Sequence, residues 1–358
     1  MRTHKIAAIP GDGIGMEVVS AGVEVLNALA KRDGNFSFEV DHFDWGGEYY
    51  KKHGRMMPEN GREQIRNHDA ILFGSAGHPE IPDHITLWGL RLNICQPFDQ
   101  YANVRPTRIL PGIRSPLRDV TDKELDWVII RENSEGEYAG VGGRVHQGTH
   151  LEAATDVAMF TRAGVERIFR FAFKLAQSRP RKLLTIVTKS NAQRHAMVMW
   201  DDIAQQVAKE FPDVIWDKML VDAMTVRMVM KPQSLDTIVA TNLHADILSD
   251  LAAALAGSLG IAPTANLNPE RDFPSMFEPI HGSAFDITGK GVANPVGTFW
   301  SAVMMLEHLG ETEAAKRLMS AIEHVTADER YHTPDLGGKA CTAEVTAAVI
   351  DAIHGSNV

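Results

Sequence analysis

A chain of 358 residues with 44% hydrophobic and 23% charged side chains has material for two domains, or one large one, around an ordinary globular core. Its formal net charge of −10 argues against nucleic acid and anionic membrane as partners, so an acidic ligand needs local arginine or lysine working against the global field. Cys95 and Cys341 make no disulfide framework, the start lacks a signal-peptide core, and no apolar run is long enough to span a bilayer; a soluble cytoplasmic protein is expected.

Taken in chain order, residues 6–9 are a short apolar strand and Pro10-Gly-Asp-Gly-Ile-Gly15 a turn. A helix follows with Val18, Val19, Val23, Val25, Leu26 and Leu29 on its apolar side. Residues 36–43 alternate apolar and polar, which predicts a strand. Further strands are expected at 70–73, 127–130, 183–187, 214–220 and 237–240, and the clearest helices at 165–177, 192–211, 243–259 and 297–309. Strands separated by helices indicate an α/β fold with a substantially parallel sheet. The segment 133–160 is polar, rich in glycine and without helical period; it reads as an excursion, either a mobile loop or an arm reaching a partner subunit. No repeat or low-complexity linker marks a domain boundary.

Several residue sets carry chemistry. Asp246 and Asp250 stand four apart in Thr-Asn-Leu-His-Ala-Asp-Ile-Leu-Ser-Asp, so on a helix their carboxylates lie about 40° apart on one face. Like charges at that spacing destabilise a helix unless a cation lies between them, and Mg²⁺ or Mn²⁺ takes such oxygens. The aspartates sit in an apolar run (Ile247, Leu248, Leu251), which disfavours a merely solvated acidic edge. Arg105 and Arg131 lie near the ends of apolar strands and suit bidentate capture of carboxylates. Tyr138 sits among carboxylates and glycines. Lys189, followed by Ser190 and Asn191, ends a strand, where open α/β sheets place their ligands. Asp222 follows another strand and offers a third metal oxygen. The glycine-rich stretch from Glu278 to Pro295 lets backbone approach a nucleotide, but neither it nor Gly11-Asp-Gly-Ile-Gly15 fits G-x-G-x-x-G, so a standard Rossmann reading fails.

Together these strings resemble the metal-dependent β-decarboxylating dehydrogenases acting on isocitrate, 3-isopropylmalate, and D-malate or tartrate. The motifs are Pro10-Gly-Asp-Gly-Ile-Gly, Asn103-Val-Arg-Pro, Arg131-Glu-Asn-Ser-Glu-Gly-Glu-Tyr138, Thr188-Lys-Ser-Asn191, Asn242 to Asp250, Gly257-Ser-Leu-Gly260, and Glu278 to Pro295. The resemblance implies a mixed, largely parallel α/β sheet in two domains: a discontinuous nucleotide domain (1–100 with 255–358) and a central domain (101–254) whose dimer arm falls at about 133–160. It implies a homodimer with shared active sites. Asp246 and Asp250 would hold Mn²⁺ or Mg²⁺ from one subunit and Asp222 from the other. Arg105, Arg131 and Asn191 would bind the substrate. Lys189, from the neighbouring subunit, would take the C2 hydroxyl proton, and Tyr138 would protonate the enolate left by CO₂. Ile14, Glu278, His281, Gly282, Ser283, Ala284, Asp286 and Asn294 would hold NAD, with Asp286 disfavouring a 2′-phosphate and hence NADP. A monovalent cation is a further cofactor left open.

The chain also departs from the family. A substrate arginine usual ten positions before Arg105 is Cys95 here, and Arg91 stands one turn earlier, where isopropylmalate enzymes are apolar. The expectation is that the guanidinium has moved one turn and still binds substrate; the alternative is a solvated helix residue. Phe285 replaces a proline in the nucleotide loop, Ala245 a glycine, and Leu251 an acid. The pocket segment, with Phe98-Asp-Gln-Tyr-Ala-Asn-Val-Arg-Pro, looks like the branch that oxidises four-carbon 2-hydroxy dicarboxylates. Isopropylmalate oxidation is the enzymatic alternative and a nucleotide-binding regulatory subunit the non-enzymatic one.

Overall fold

The computed structural model describes residues 2–355. Twelve strands are described: β1 (Arg2–Gly11), β2 (Phe36–His42), β3 (Ala70–Ser75), β4 (Ala102–Arg108), β5 (Asp126–Glu132), β6 (Gly136–Val145), β7 (Ala153–Met159), β8 (Leu183–Thr188), β9 (Ile215–Leu220), β10 (Thr237–Ala240), β11 (Pro263–Leu267) and β12 (Ser275–Pro279). By contacts the chain divides into two units. The first takes the chain up to residue 100, returns for 108–122, and resumes from 253; the second comprises 101–107 and 123–252.

In the first unit the strand order is β2-β1-β3-β12-β11. β1 pairs parallel with both β2 and β3, β3 parallel with β12, and β11 antiparallel with β12. All six residues of β3 are buried, as are Ile6 to Ile9 of β1, because central parallel strands are covered on both faces and read as continuous apolar runs. Edge strand β2 keeps only Phe36 buried. The helix Gly15–Asp33 starts where β1 ends and stops at Gly34, whose left-handed φ of 69° returns its N–H to Ala30 O.

In the second unit the order is β4-β5-β10-β8-β9, with β10 parallel to β5 and β8, and β8 parallel to β9. The helix Arg162–Ser178 packs an apolar face of Val165, Ile168, Phe169, Ala172 and Phe173, and Thr161 caps it by accepting the Gly164 N–H at 3.0 Å. The helix Asn242–Ala256 follows β10 directly. The glycine-rich segment forms an antiparallel two-stranded ribbon, β6–β7, with a register shift between Gly136 and Val141. Val141, Val145, Leu151, Val157 and Met159 are exposed on it. Among the described residues no helix is long and apolar enough to cross a membrane.

Candidate active site

Strand register explains which side chains of the second unit meet. Ala240 of β10 lies opposite Arg131 of β5, so the helix starting at Asn242 begins beside that arginine. Arg131, 2% exposed, donates its Nε to Asn242 Oδ1 at 2.8 Å and its Nη1 closely to Asp246 Oδ1. Arg105 reaches the same oxygen with Nη2 at 3.7 Å and is fixed by Asn103 Oδ1 at 2.9 Å from Nε and by Ser249 Oγ. The Tyr138 hydroxyl donates to Asp246 Oδ2 at 3.4 Å, and its ring lies under the Arg131 guanidinium, 5.1 Å from the centroid. Two nearly buried cations and a phenol therefore converge on one carboxylate. Neighbouring Glu132, fully buried, accepts the N–H groups of Ser134 and Glu135 and the Ser134 hydroxyl; burial pushes its carboxyl up while those bonds pull it down.

Asp250 lies one turn beyond Asp246. Although it is an exposed residue, lost hydration pushes its carboxyl above the usual range and the Asp246 charge adds to that, while Arg105 and Arg131 pull it down. A bound cation would offset both the lost hydration and the neighbouring charge, so the pair fits a hard divalent metal completed by water and substrate oxygens. Among the described residues no group of three or more His, Cys, Asp or Glu could hold a metal within the chain.

Lys189 and Asp222 form a separate pair. Thr188 of β8 lies opposite Leu220 of β9, so the residues just past these strand ends are neighbours and Lys189 Nζ donates to Asp222 Oδ1. That ammonium holds Asp222 below the usual carboxylate range. Asn191 is exposed two residues on.

The nucleotide residues assemble in the first unit. The Ile14 N–H donates to Ser283 O at 2.8 Å, tying the Gly11–Gly15 turn to the 281–286 loop. A Cβ on Gly13, at φ 56°, would lie 1.9 Å from Ser283 O, so only glycine permits this approach. Ile14 packs with Val18, Ala284, Ile287 and Ala293 in a small apolar cluster. His281 donates its Nδ1–H to Gly282 O (3.0 Å), burial lowers its pKa, and its buried Nε2 has no hydrogen-bond partner among the described residues. Asn294 donates to Asp335 Oδ2 at 3.0 Å and accepts the Val296 N–H; Gly282 and Asp286 are exposed. A partnerless buried imidazole nitrogen beside a glycine-dependent loop and an apolar patch fits a dinucleotide.

Arg91, expected at the substrate, donates Nε to Glu278 Oε1 at 2.8 Å and Nη2 to Asn266 Oδ1 at 3.1 Å, with Nη2 also 2.7 Å from Glu278 Oε1 as an ion pair. It ends a π-helical turn, Leu87–Arg91. Cys95 is buried among Ile94, Phe98 and Met276, a place for a small apolar side chain rather than for a cation.

Sequence reasoning passed over several supporting residues. Asp12, inside the Pro10–Gly15 turn, accepts the Gly47 N–H at 2.6 Å and the Gly77 N–H at 3.0 Å, joining three loops. Asn103 and Asn242 stood inside the quoted motifs, two residues before Arg105 and four before Asp246, and that spacing was the available signal. Asn266 had none.

The sequence profile described as isocitrate/isopropylmalate dehydrogenase matches residues 5–353, and the chain belongs to that family. It is 71% identical over 358 residues, all of both chains, to a probable tartrate dehydrogenase/decarboxylase of Agrobacterium vitis. It is 49% identical over 356 residues to the decarboxylating D-malate dehydrogenase of Escherichia coli, covering 98% of each. The crystal structure of isocitrate dehydrogenase from Methylococcus capsulatus superposes with a TM-score of 0.88 at 36% identity, over 98% of this chain and 99% of that one. The mixed, mostly parallel α/β fold expected from the sequence is thus the fold of this family, and the protein is an enzyme of the dehydrogenase class. Dehydrogenases of this family generally use NAD and a divalent metal.

Proposed function

We propose that the protein oxidises four-carbon 2-hydroxy dicarboxylates, tartrate and D-malate, with NAD and Mn²⁺ or Mg²⁺, and decarboxylates D-malate to pyruvate and CO₂. The observation that carries this reading is the convergence of Arg105, Arg131 and Tyr138 on Asp246, one turn from Asp250. When bound, the cation supplies a Lewis acid beside the C2 hydroxyl and NAD a hydride acceptor. Asp246 and Asp250 hold the cation from one subunit, with Asp222 of the partner subunit. Arg105 and Arg131, now turned to Asp246, grip the substrate carboxylates, with Asn191 as a further contact. Lys189, acting in the partner's site, takes the hydroxyl proton as C2 becomes a carbonyl and its hydride leaves. The C3 carboxylate of D-malate then departs as CO₂, and Tyr138 delivers a proton to C3 of the enolate to give pyruvate.

Ile14, His281 and Asn294, with the backbone of Gly282, Ser283 and Ala284, hold the dinucleotide, and Asp286 accepts from the adenosine 2′-OH. The homodimer is supported by exposed apolar side chains on the ribbon and by Val226, Val229, Met230 and Ile247 on the helices that carry Asp222 and Asp246. A lone two-stranded ribbon is marginal in water and gains stability by packing on a partner.

The test is a substrate panel (tartrate isomers, D-malate, isocitrate, 3-isopropylmalate) with NAD or NADP, with and without Mn²⁺ and K⁺. Metal-dependent NADH formation with tartrate and D-malate is expected. A kcat/KM for isopropylmalate equal to or above that for D-malate overturns the substrate choice, and no turnover of any hydroxy acid overturns the enzymatic reading.

A further inference from the structure

Arg91 and Glu278 are 187 residues apart in sequence and form a largely buried ion pair, their side chains 12% and 7% exposed. Both belong to the first unit. Asn266 completes the cluster from both sides: its Oδ1 accepts from Arg91 Nη2 and its Nδ2 donates to Glu278 Oε1 at 2.7 Å. The three residues come from the Leu87–Arg91 turn, β11 and β12, and Glu278 is the last residue but one of β12 before the chain enters the 280–295 loop. The Glu278 carbonyl is also held, by the Ser301 hydroxyl at 2.7 Å.

A guanidinium that donates Nε to a carboxylate and Nη2 to the adjoining amide, while paired with that carboxylate, is an anchor with defined direction. The turn that presents it is π-helical, a wider turn that shifts the register of the side chains following it. The buried carboxylate needs that cation: without it Glu278 would keep a negative charge in a desolvated place, at the entry to the loop proposed to hold the dinucleotide.

We infer that Arg91 is a positioning residue for dinucleotide binding: it neutralises and orients Glu278 at the root of the 280–295 loop, linking the 87–91 turn to the strand that launches that loop. The inference rests on the reading of 280–295 as the dinucleotide loop. Losing Arg91 therefore weakens the dinucleotide first and the hydroxy acid second.

The experiment measures NADH affinity by fluorescence titration and KM for D-malate at saturating NAD, in wild type, Arg91→Met, Arg91→Lys, the double variant Arg91→Met with Glu278→Gln, and Asp286→Asn. Arg91→Met should raise the NADH Kd by about 10-fold or more, the scale of a lost charge-assisted bond, with a smaller change in KM for D-malate. Arg91→Lys should recover part of the affinity, since it restores the cation without the fork. The double variant should recover more than Arg91→Met alone, because no unpaired buried charge remains. That recovery also separates the effect from misfolding of the single variant. An unchanged NADH Kd in Arg91→Met, with KM for D-malate raised instead, overturns the inference and makes Arg91 a substrate ligand. If Asp286→Asn weakens NADH while Arg91→Met does not, only the inference fails; if neither changes NADH binding, the dinucleotide reading of the loop fails with it.

Discussion

Replacing Asp246 with asparagine separates the structural from the chemical work of the arginine cluster. Asn preserves shape and removes charge. Arg131 keeps Asn242 Oδ1 at 2.8 Å, and Arg105 keeps Asn103 and Ser249, so each guanidinium retains neutral acceptors when the Asp246 charge is removed. A charge-assisted bond of this kind is worth about 1.5–3 kcal/mol. With roughly 2–4 °C of Tm per kcal/mol for domains of this size, Tm should fall by roughly 3–12 °C without loss of the fold. The metal response is the sharper readout. A cation at 100 times its Kd stabilises the wild type by about 2.7 kcal/mol, and the variant should lose nearly all of that gain. Turnover should drop by about 100-fold or more, because the carboxylate both holds the cation and offsets two arginines. Thermal unfolding across an Mn²⁺ titration, paired with steady-state rates at low Mn²⁺, reads both quantities. A variant with the wild-type Mn²⁺-induced rise in Tm and near-normal turnover would refute the assignment of Asp246 to the metal.

Asp286→Lys should narrow or invert the preference for NAD over NADP, measured as the ratio of kcat/KM values, since the exposed carboxylate is replaced by a cation that favours a 2′-phosphate; equal use of both cofactors by the wild type would remove Asp286 from this role. Tyr138→Phe should slow pyruvate formation from D-malate more than hydride transfer, compared by product assay and NADH release, and equal loss of both steps would make the phenol a general positioning group. His308, with its ring 5.5 Å from Phe277, is pushed down to about 4 by burial and by the Arg271 charge. Below pH 6.5 the unfolded chain binds a proton at this position that the folded chain refuses, so its contribution is fully present above pH 6.5 and is lost as pH falls toward 4. The loss is up to about 3 kcal/mol, and His308→Phe should flatten the chemical-denaturation stability profile between pH 6.5 and 4; an unchanged slope would refute it.

Much of the architecture is local and was readable. The buried central strands β1, β3, β5 and β10 announce themselves as apolar runs, and the helices Arg162–Ser178 and Val296–Leu309 by their apolar spacing. The motif residues Arg105, Arg131, Tyr138 and Asp246 were legible as chemistry because their types and spacing suit carboxylate and metal capture, and the fold gathers these four. Strands β11 and β12 escaped the reading because their residues, such as Pro-Thr-Ala-Asn-Leu, carry no simple alternation; neighbouring strands make them extended. The ribbon β6–β7 escaped because its glycines and polar residues are exposed and lack a burial period. Arg91 shows the limit most plainly. Its position suggested a substrate cation displaced by one helical turn, a role that stays a proposal, but no local pattern could name its partners in the structure, Glu278 and Asn266, which lie 187 and 175 positions away. Helical spacing sets which residues share a face, but a buried charge finds its counter-charge through strand order, and strand order belongs to the assembled sheet alone.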